Sequence, residues 1–177
     1  MKRKSTTLTL IQAAMFLAIA FILPFFTGQI PQFGSMLCPM HFPVLLCGFI
    51  CGWPWGLITG FFAPLLRSLI LGMPPLFPKA VCMAFELAAY GAVAGIFHKI
   101  LPAKKWSVYV SLLLAMLTGR IVYGLSMFIC MHATGHSFGI ALFLAEAFTN
   151  ALPGIILQLI LIPVIVMLEE RSHERSI

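Results

Sequence analysis

Long apolar runs follow one another along almost the whole chain and are separated by short segments rich in turn-forming residues. They predict six helices, at about residues 8–26, 40–52, 56–71, 78–97, 106–131 and 138–168. Most of these runs approach the roughly 20 residues that an α-helix needs to cross the hydrocarbon core of a bilayer. The pattern therefore predicts an all-α fold, an integral membrane bundle of six transmembrane helices forming one domain over residues 1–177.

Composition supports a membrane location. Hydrophobic residues make up 61% of the chain and charged residues 9%, whereas a soluble domain has about a quarter charged residues. The basic start, Met1-Lys2-Arg3-Lys4, resembles a signal peptide. The apolar run after it is longer than the usual h-region of about 7–15 residues. We therefore expect an uncleaved first helix.

The cations predict the orientation of the bundle. With six helices, both termini, the turn between helices 2 and 3 and the link between helices 4 and 5 lie on one side. The other side holds only Lys79. Cations concentrate on the cytoplasmic side of membrane proteins, so both termini are predicted to be cytoplasmic. The eight cations on that side are Lys2, Arg3, Lys4, Lys99, Lys104, Lys105, Arg171 and Arg175.

The net charge of +6 does not indicate nucleic-acid binding. The cations are too few and too far apart to form a phosphate-binding stripe. The five cysteines contain no CxxC pair, which argues against a zinc site or a disulfide framework. The chain also lacks GxxxxGK[ST], HExxH and GxSxG motifs. We predict no catalytic residue, no metal site and no cofactor.

Four charged side chains lie inside the apolar runs: Arg67, Glu86, Arg120 and Glu146. Each costs at least about 2.5 kcal/mol at the bilayer centre, so each should face protein or water. Counted along helices that rise 1.5 Å per residue, all four positions fall in the outer half of the membrane. The sequence therefore predicts a polar cavity that opens outward.

Polar companions stand three or four residues from these charges, a spacing that brings side chains together on a helix. The companions are Tyr90 near Glu86, Tyr123 near Arg120, and Asn150 near Glu146. His41 begins helix 2 at the outer loop, where it could bind a ligand or cap the helix.

Two interpretations of the buried charges remain open. Arg67 with Glu86, and Arg120 with Glu146, could be structural ion pairs that hold helices together. Alternatively, one or both arginines could meet a ligand carboxylate or polar ring, because guanidinium offers planar, paired donors.

Two segments stand out beside the six helices and the basic N-terminus: Ala14-Met15-Phe16-Leu17-Ala18 and Pro39-Met40-His41-Phe42-Pro43-Val44-Leu45-Leu46-Cys47-Gly48. Together these features resemble the substrate-binding S components of energy-coupling-factor (ECF) transporters, and the likeness covers nearly the whole chain. Three further segments are Pro64-Leu65-Leu66-Arg67-Ser68-Leu69, Gly72-Met73-Pro74-Pro75 and Phe85-Glu86-Leu87-Ala88-Ala89-Tyr90-Gly91. They look like the branch that includes pantothenate- and folate-type S components.

The resemblance implies a protein of the bacterial plasma membrane that binds a vitamin near the outer surface, under the loops joining helices 1–2 and 3–4. It also implies docking, through small residues of helix 1, onto a transmembrane T subunit that carries two cytoplasmic ATPases. The protein would then topple in the bilayer and release its substrate inside. Ala14 and Ala18 become the expected docking residues, although the adjacent Ala13 leaves the register of that face open.

The first functional hypothesis is an S component for a small water-soluble vitamin or related nutrient. Pantothenate is favoured because its carboxylate would suit Arg67 or Arg120. The expected ligand-binding residues are His41, Arg67, Glu86, Tyr90, Arg120, Tyr123, Glu146 and Asn150. One alternative is a small membrane enzyme or assembly factor for lipid-like substrates that uses Glu86 or Glu146 as acid or base. Another is a stand-alone, ion-coupled secondary transporter.

Overall fold

A computed structural model describes residues 6–27, 38–102, 104–135, 139 and 152–175. These ranges contain helices and turns but no β-strand. A π-helical turn, Leu76–Ala80, precedes the fourth α-helix. The helices are α1 (Thr6–Thr27), α2 (His41–Cys51), α3 (Trp53–Leu71), α4 (Val81–Ile100), α5 (Lys105–Ala133) and α6 (Leu152–Arg175).

The six predicted helices are all found, with bounds close to those expected for the first five. The described part of the sixth begins at Leu152 instead of residue 138, and most of the intervening segment lies outside the described residues. Five helices, α1 and α3 to α6, are long and apolar enough to span a membrane. The fold is the expected all-α membrane bundle.

The short helix α2 occupies the interior of the bundle. Its 11 residues extend about 16 Å at 1.5 Å per residue, roughly half of the bilayer core. Helices α1, α3, α4 and α6 all pack against it. Eight of its residues are buried, which explains why its sequence is apolar on every side.

Three glycines allow the backbones of α2, α3 and α4 to touch. A Cβ atom at Gly56 would lie 2.7 Å from the Gly91 carbonyl oxygen and 2.7 Å from the Gly48 Cα. A Cβ at Gly91 would collide with the backbone of Gly56. Close approach of this kind is the usual role of small residues between membrane helices. Gly60 and Gly95 lie in similar contacts, because Cβ atoms there would collide with the backbones of Leu87 and Trp53.

Gly52 has a different role from Gly48, the glycine one turn earlier. Its φ of +91° is accessible to glycine but strained for residues with a Cβ. It ends α2, and Trp53 starts α3 at the next residue. The turn between α2 and α3 is therefore made by Gly52, and Pro54 stands in the first turn of α3.

Helix α5 shows which surface faces lipid. Leu113, Leu117, Ile121 and Leu125 follow one another every four residues and are all exposed. The opposite face buries Leu112, Ala115, Met116 and Tyr123. A water-soluble protein would hide the exposed stripe, whereas a bilayer solvates it.

The two ends of the bundle differ. Helices α1 and α3 end, and α2 begins, at one end, which the cation distribution predicts to face outward; we call it the outer end. At the other end, His98 Nε2 of α4 lies 3.4 Å from Glu170 Oε1 of α6. That contact joins the ends of α4 and α6 on the side that carries most of the cations.

We predict that Gly91→Ala destabilises the protein by about 1–3 kcal/mol, because the new methyl group collides with the Gly56 backbone. The thermal unfolding midpoint of the purified protein in detergent should fall. Ala14→Leu adds more bulk at an exposed position of α1 and should leave the midpoint unchanged. Equal midpoints for Gly91→Ala and the parent protein would contradict the close packing.

Candidate functional site

A buried cluster of polar side chains lies in the outer half of the bundle. Glu86 and Tyr90 stand one turn apart on α4, His41 is the first residue of α2, and Arg120 stands midway along α5. The glycine contacts between α2 and α4 bring His41 beside the face of α4 that carries Glu86. We call these four residues the outer polar cluster.

The centre of the outer polar cluster is an ion pair. Arg120 Nη1 lies 2.9 Å from Glu86 Oε1, and the Glu86 side chain is almost fully buried (1% exposed). A charge in such an environment is tolerated only when it is paired. The pair therefore explains how α4 can carry a carboxylate at this depth.

His41 completes the cluster on the α2 side. Its Nε2 atom lies 3.5 Å from Glu86 Oε1, and its ring meets the Tyr90 ring edge-on with 5.2 Å between centroids. Tyr90 in turn packs against Gly119 of α5, where an added Cβ would lie 2.9 Å from the Tyr90 ring. These contacts fix both rings against the ion pair.

Several polar atoms of the cluster lack hydrogen-bond partners. They are both ring nitrogens of His41, Oε1 of Glu86 and Nε of Arg120. Although Arg120 lies close to Glu86 Oε1, no donor in the described part of the chain points at that oxygen with hydrogen-bond geometry. A buried polar group left unsatisfied costs about 1–3 kcal/mol, so these atoms stand out from the rest of the described core.

Cys38, just before α2, also borders the cluster. Its sulfur lies 3.9 Å from Arg120 Nη2, and its φ of +46° places the backbone in the left-handed region. Burial raises the pKa of the Cys38 thiol above its usual value, although Arg120 opposes this. The sulfur near Arg120 is therefore a neutral thiol.

The expected ion pair between Arg67 and Glu86 is wrong. Arg67 Nη1 instead donates a hydrogen bond of 2.9 Å to the Phe21 carbonyl of α1, and its guanidinium lies 5.2 Å from the centroid of the Phe25 ring. Pro24 lacks an N–H and disturbs the backbone hydrogen bonds of this last stretch of α1. Arg67 therefore fastens α1 to α3 and lies outside the outer polar cluster.

The second possible pair, Arg120 with Glu146, stays a prediction, whereas the contact between the Arg120 guanidinium and Glu86 is observed. Glu146 and Asn150 lie outside the described residues. Tyr123 is buried one turn beyond Arg120 on α5. Four of the predicted residues, His41, Glu86, Tyr90 and Arg120, thus meet in one cluster, and their role in binding a ligand remains a prediction.

Two residues of the site were not singled out from the sequence. Gly119 gives the Tyr90 ring its space, and Cys38 approaches Arg120. A glycine directly before an intramembrane arginine was an available signal for the first. Nothing in the sequence pattern places Cys38 next to residue 120, because that contact joins positions 82 residues apart.

Comparison with known proteins identifies the family of this chain. A family model described as "ECF transporter, substrate-specific component" matches residues 8–166. The chain belongs to the substrate-specific component family of ECF transporters. No curated protein and no solved structure matches it.

S components of ECF transporters bind a small substrate and work with a T subunit and ATPases, so the protein is a multi-pass protein of the plasma membrane and a transporter component. Of the three hypotheses drawn from the sequence, the family supports the first. The expected likeness to the pantothenate- and folate-type branch stays a prediction.

This S component has an open apolar groove on α1, away from the outer polar cluster. Ala14 and Ala18 of α1 form its floor, and its cavity volume is about 320 Å³. Ala13, by contrast, is buried in the hydrophobic core, whereas Ala14 and Ala18 are exposed and face away from the bundle. The other residues that line the groove are Leu17, Phe21 and Ile22 of α1 and Leu66 and Ile70 of α3.

We predict that Arg120→Met destabilises the S component by about 3–5 kcal/mol, because it leaves the Glu86 carboxylate buried without its cation. The double variant Arg120→Met/Glu86→Leu should recover most of this loss, as judged by thermal unfolding in detergent. Arg67→Met is the control, since Arg67 contacts Phe21 of α1 and not Glu86. A double variant no more stable than Arg120→Met would contradict a buried ion pair.

Proposed function

We propose that this S component captures a small water-soluble vitamin or related nutrient at the outer face of a bacterial plasma membrane, through the outer polar cluster. The observation that carries the proposal is a set of buried atoms on His41, Glu86 and Arg120 that make no hydrogen bond to another described residue, beside the Glu86–Arg120 ion pair. Most buried polar atoms in native proteins have a hydrogen-bond partner, and a bound polar molecule would supply one here.

The site suits orientation of a ligand from several sides. His41, Glu86 and Arg120 come from three different helices and offer nitrogen donors, a ring acceptor and a carboxylate acceptor. The rings of His41 and Tyr90 add apolar surface. A few convergent polar groups beside aromatic walls are typical of small-molecule sites.

Pantothenate was favoured because its carboxylate would suit an unengaged arginine. Arg67 contacts α1 and Arg120 contacts Glu86, so both guanidinium groups already have partners. We therefore keep pantothenate as one compound to be tested and base the proposal on the outer polar cluster rather than on a particular vitamin.

We further propose that the apolar groove of α1 is the docking surface for the T subunit, which carries two cytoplasmic ATPases. Ala14 and Ala18 leave the α1 backbone open to a partner helix, and the groove they line is apolar. Contact through small residues lets two membrane helices pack closely. The groove is made by α1 and α3, whereas the outer polar cluster is made by α2, α4 and α5, so substrate capture and docking use separate surfaces.

The capture proposal is tested by transport in cells that co-express a T subunit and the two ATPases with this protein. Uptake of one labelled vitamin from a panel should depend on the S component, and His41→Ala or Arg120→Gln should reduce its binding at least about tenfold. Arg67→Gln should retain binding. Uptake that is indifferent to both His41 and Arg120 would contradict the proposal, provided that the variants reach the membrane in normal amounts.

The docking proposal makes a different prediction. Ala14→Trp or Ala18→Trp fills the groove, so purified protein should bind its ligand normally while uptake falls at least about tenfold. Leu117→Trp, on the exposed stripe of α5, is the control of similar bulk and should not reduce uptake. Loss of ligand binding together with uptake in the alanine variants would mean that α1 only packs internally.

A further inference from the structure

The charges available to the site are few and can be counted from the sequence. Between residues 6 and 97 and between residues 106 and 168, the chain has three cations, Arg67, Lys79 and Arg120. The same segments have two acids, Glu86 and Glu146. A buried ligand must find its counter-charge among these five side chains or in a protonated histidine.

Of these three cations, Arg120 alone belongs to the outer polar cluster, and it is already paired. Arg120 is neutralised by Glu86 at 2.9 Å, and Arg67 is bound to the Phe21 carbonyl and the Phe25 ring. Lys79 is exposed on the π-helical turn that precedes α4. The charges of Glu86 and Arg120 therefore sum to zero, and the ion pair leaves no arginine or lysine of the cluster uncompensated.

The segments outside the described residues do not add a lysine or arginine near the site. Residues 28–37 are uncharged, and residues 136–151 contain one charged residue, Glu146. If Glu146 reaches the cluster, it adds a negative charge. The summed charge of these side chains would then be negative instead of zero, which does not favour the binding of an anion.

From this balance we infer that the ligand of the outer polar cluster carries no carboxylate or phosphate, and that it is an uncharged or cationic polar molecule. It would offer an N–H or O–H donor to Glu86 Oε1 and an acceptor to His41 or to Arg120 Nε. This inference rests on the proposed function, because it describes the substrate of the same site.

The physical reason is the cost of burying an anion. A carboxylate placed beside the Glu86–Arg120 pair would put two carboxylates around one guanidinium at a position where Glu86 is 1% exposed. Removing a carboxylate from water without its own cation costs several kcal/mol. An amide or a ring nitrogen instead hydrogen-bonds to these buried atoms without adding a charge. A site built in this way discriminates strongly between a carboxylate and its uncharged analogue.

The first measurement is native mass spectrometry of the full-length protein purified from cells, which reports the molecule that it retains. An uncharged or cationic molecule is the expected result. A retained molecule with a carboxylate or phosphate overturns the inference.

The second measurement does not depend on co-purification. Thermal stabilisation is recorded with matched compounds that differ in one charged group: pantothenate and pantothenol, nicotinate and nicotinamide, biotin and biotinamide. No carboxylate member should stabilise the parent protein more than its uncharged partner. A carboxylate member that does so overturns the inference, and this comparison needs no variant to fold.

Glu86→Gln changes the summed charge of the ion pair from zero to positive, because it leaves Arg120 as an unneutralised cation. The variant should respond to carboxylate members that leave the parent protein unaffected, with an apparent affinity at least about tenfold higher. Arg67→Gln removes a cation outside the cluster and should behave like the parent protein. A folded Glu86→Gln variant that gains no response to any carboxylate contradicts the charge balance.

These outcomes separate the inference from the proposed function. Retention of an anion that the energised transporter also imports overturns the inference and leaves the proposed function intact. Failure of the energised transporter to import any compound, including the retained molecule, overturns the proposed function whatever the charge of that molecule.

Discussion

The arrangement of this protein depends on the backbone contact of α2, α3 and α4 at Gly48, Gly56 and Gly91. Lipid tails provide little driving force for bringing two apolar helices together, so close packing has to provide it. Glycine at all three positions removes the side chains that would keep the backbones apart. The contact holds the short helix α2 inside the bundle and sets the distance from α2 to the acidic face of α4.

The outer polar cluster follows from that distance. Once α2 lies against α4, His41 and Glu86 face each other, and α5 brings Arg120 to the same carboxylate. The ion pair makes the buried charge tolerable, but its geometry leaves donors and acceptors unused. A site whose arginine is already paired, and which has donors and acceptors left over, is suited to select a polar ligand by hydrogen bonding and to disfavour an added anion.

Helix α1 carries the proposed docking surface on the face that points away from the proposed ligand site. Ala13, Phe16 and Ala20 are buried, whereas Ala14 and Ala18 line the open groove. Arg67 adds a hydrogen bond from α3 to the end of α1 nearest the outer side. Because α1 packs one face against the bundle and presents the other to its surroundings, a partner could bind that second face without touching the outer polar cluster.

The sequence alone determined the membrane location, the number of helices and most of their bounds, because these follow from the length and spacing of apolar runs. It also identified the side chains that could not face lipid, since the cost of a charge in the bilayer does not depend on the details of the fold.

Only the tertiary structure decided which side chains of different helices contact one another. Helical spacing relates residues on one helix, as with Glu86 and Tyr90, but it does not determine which neighbouring helix supplies the opposite charge. Three features depend on how the helices are rotated against one another. They are the pairing of Glu86 with Arg120 instead of Arg67, the approach of Cys38 to Arg120, and the position of Ala14 on the face of α1 that points away from the bundle. That rotation is set by side-chain and backbone packing across the whole bundle, and the periodicity of a single segment does not contain it.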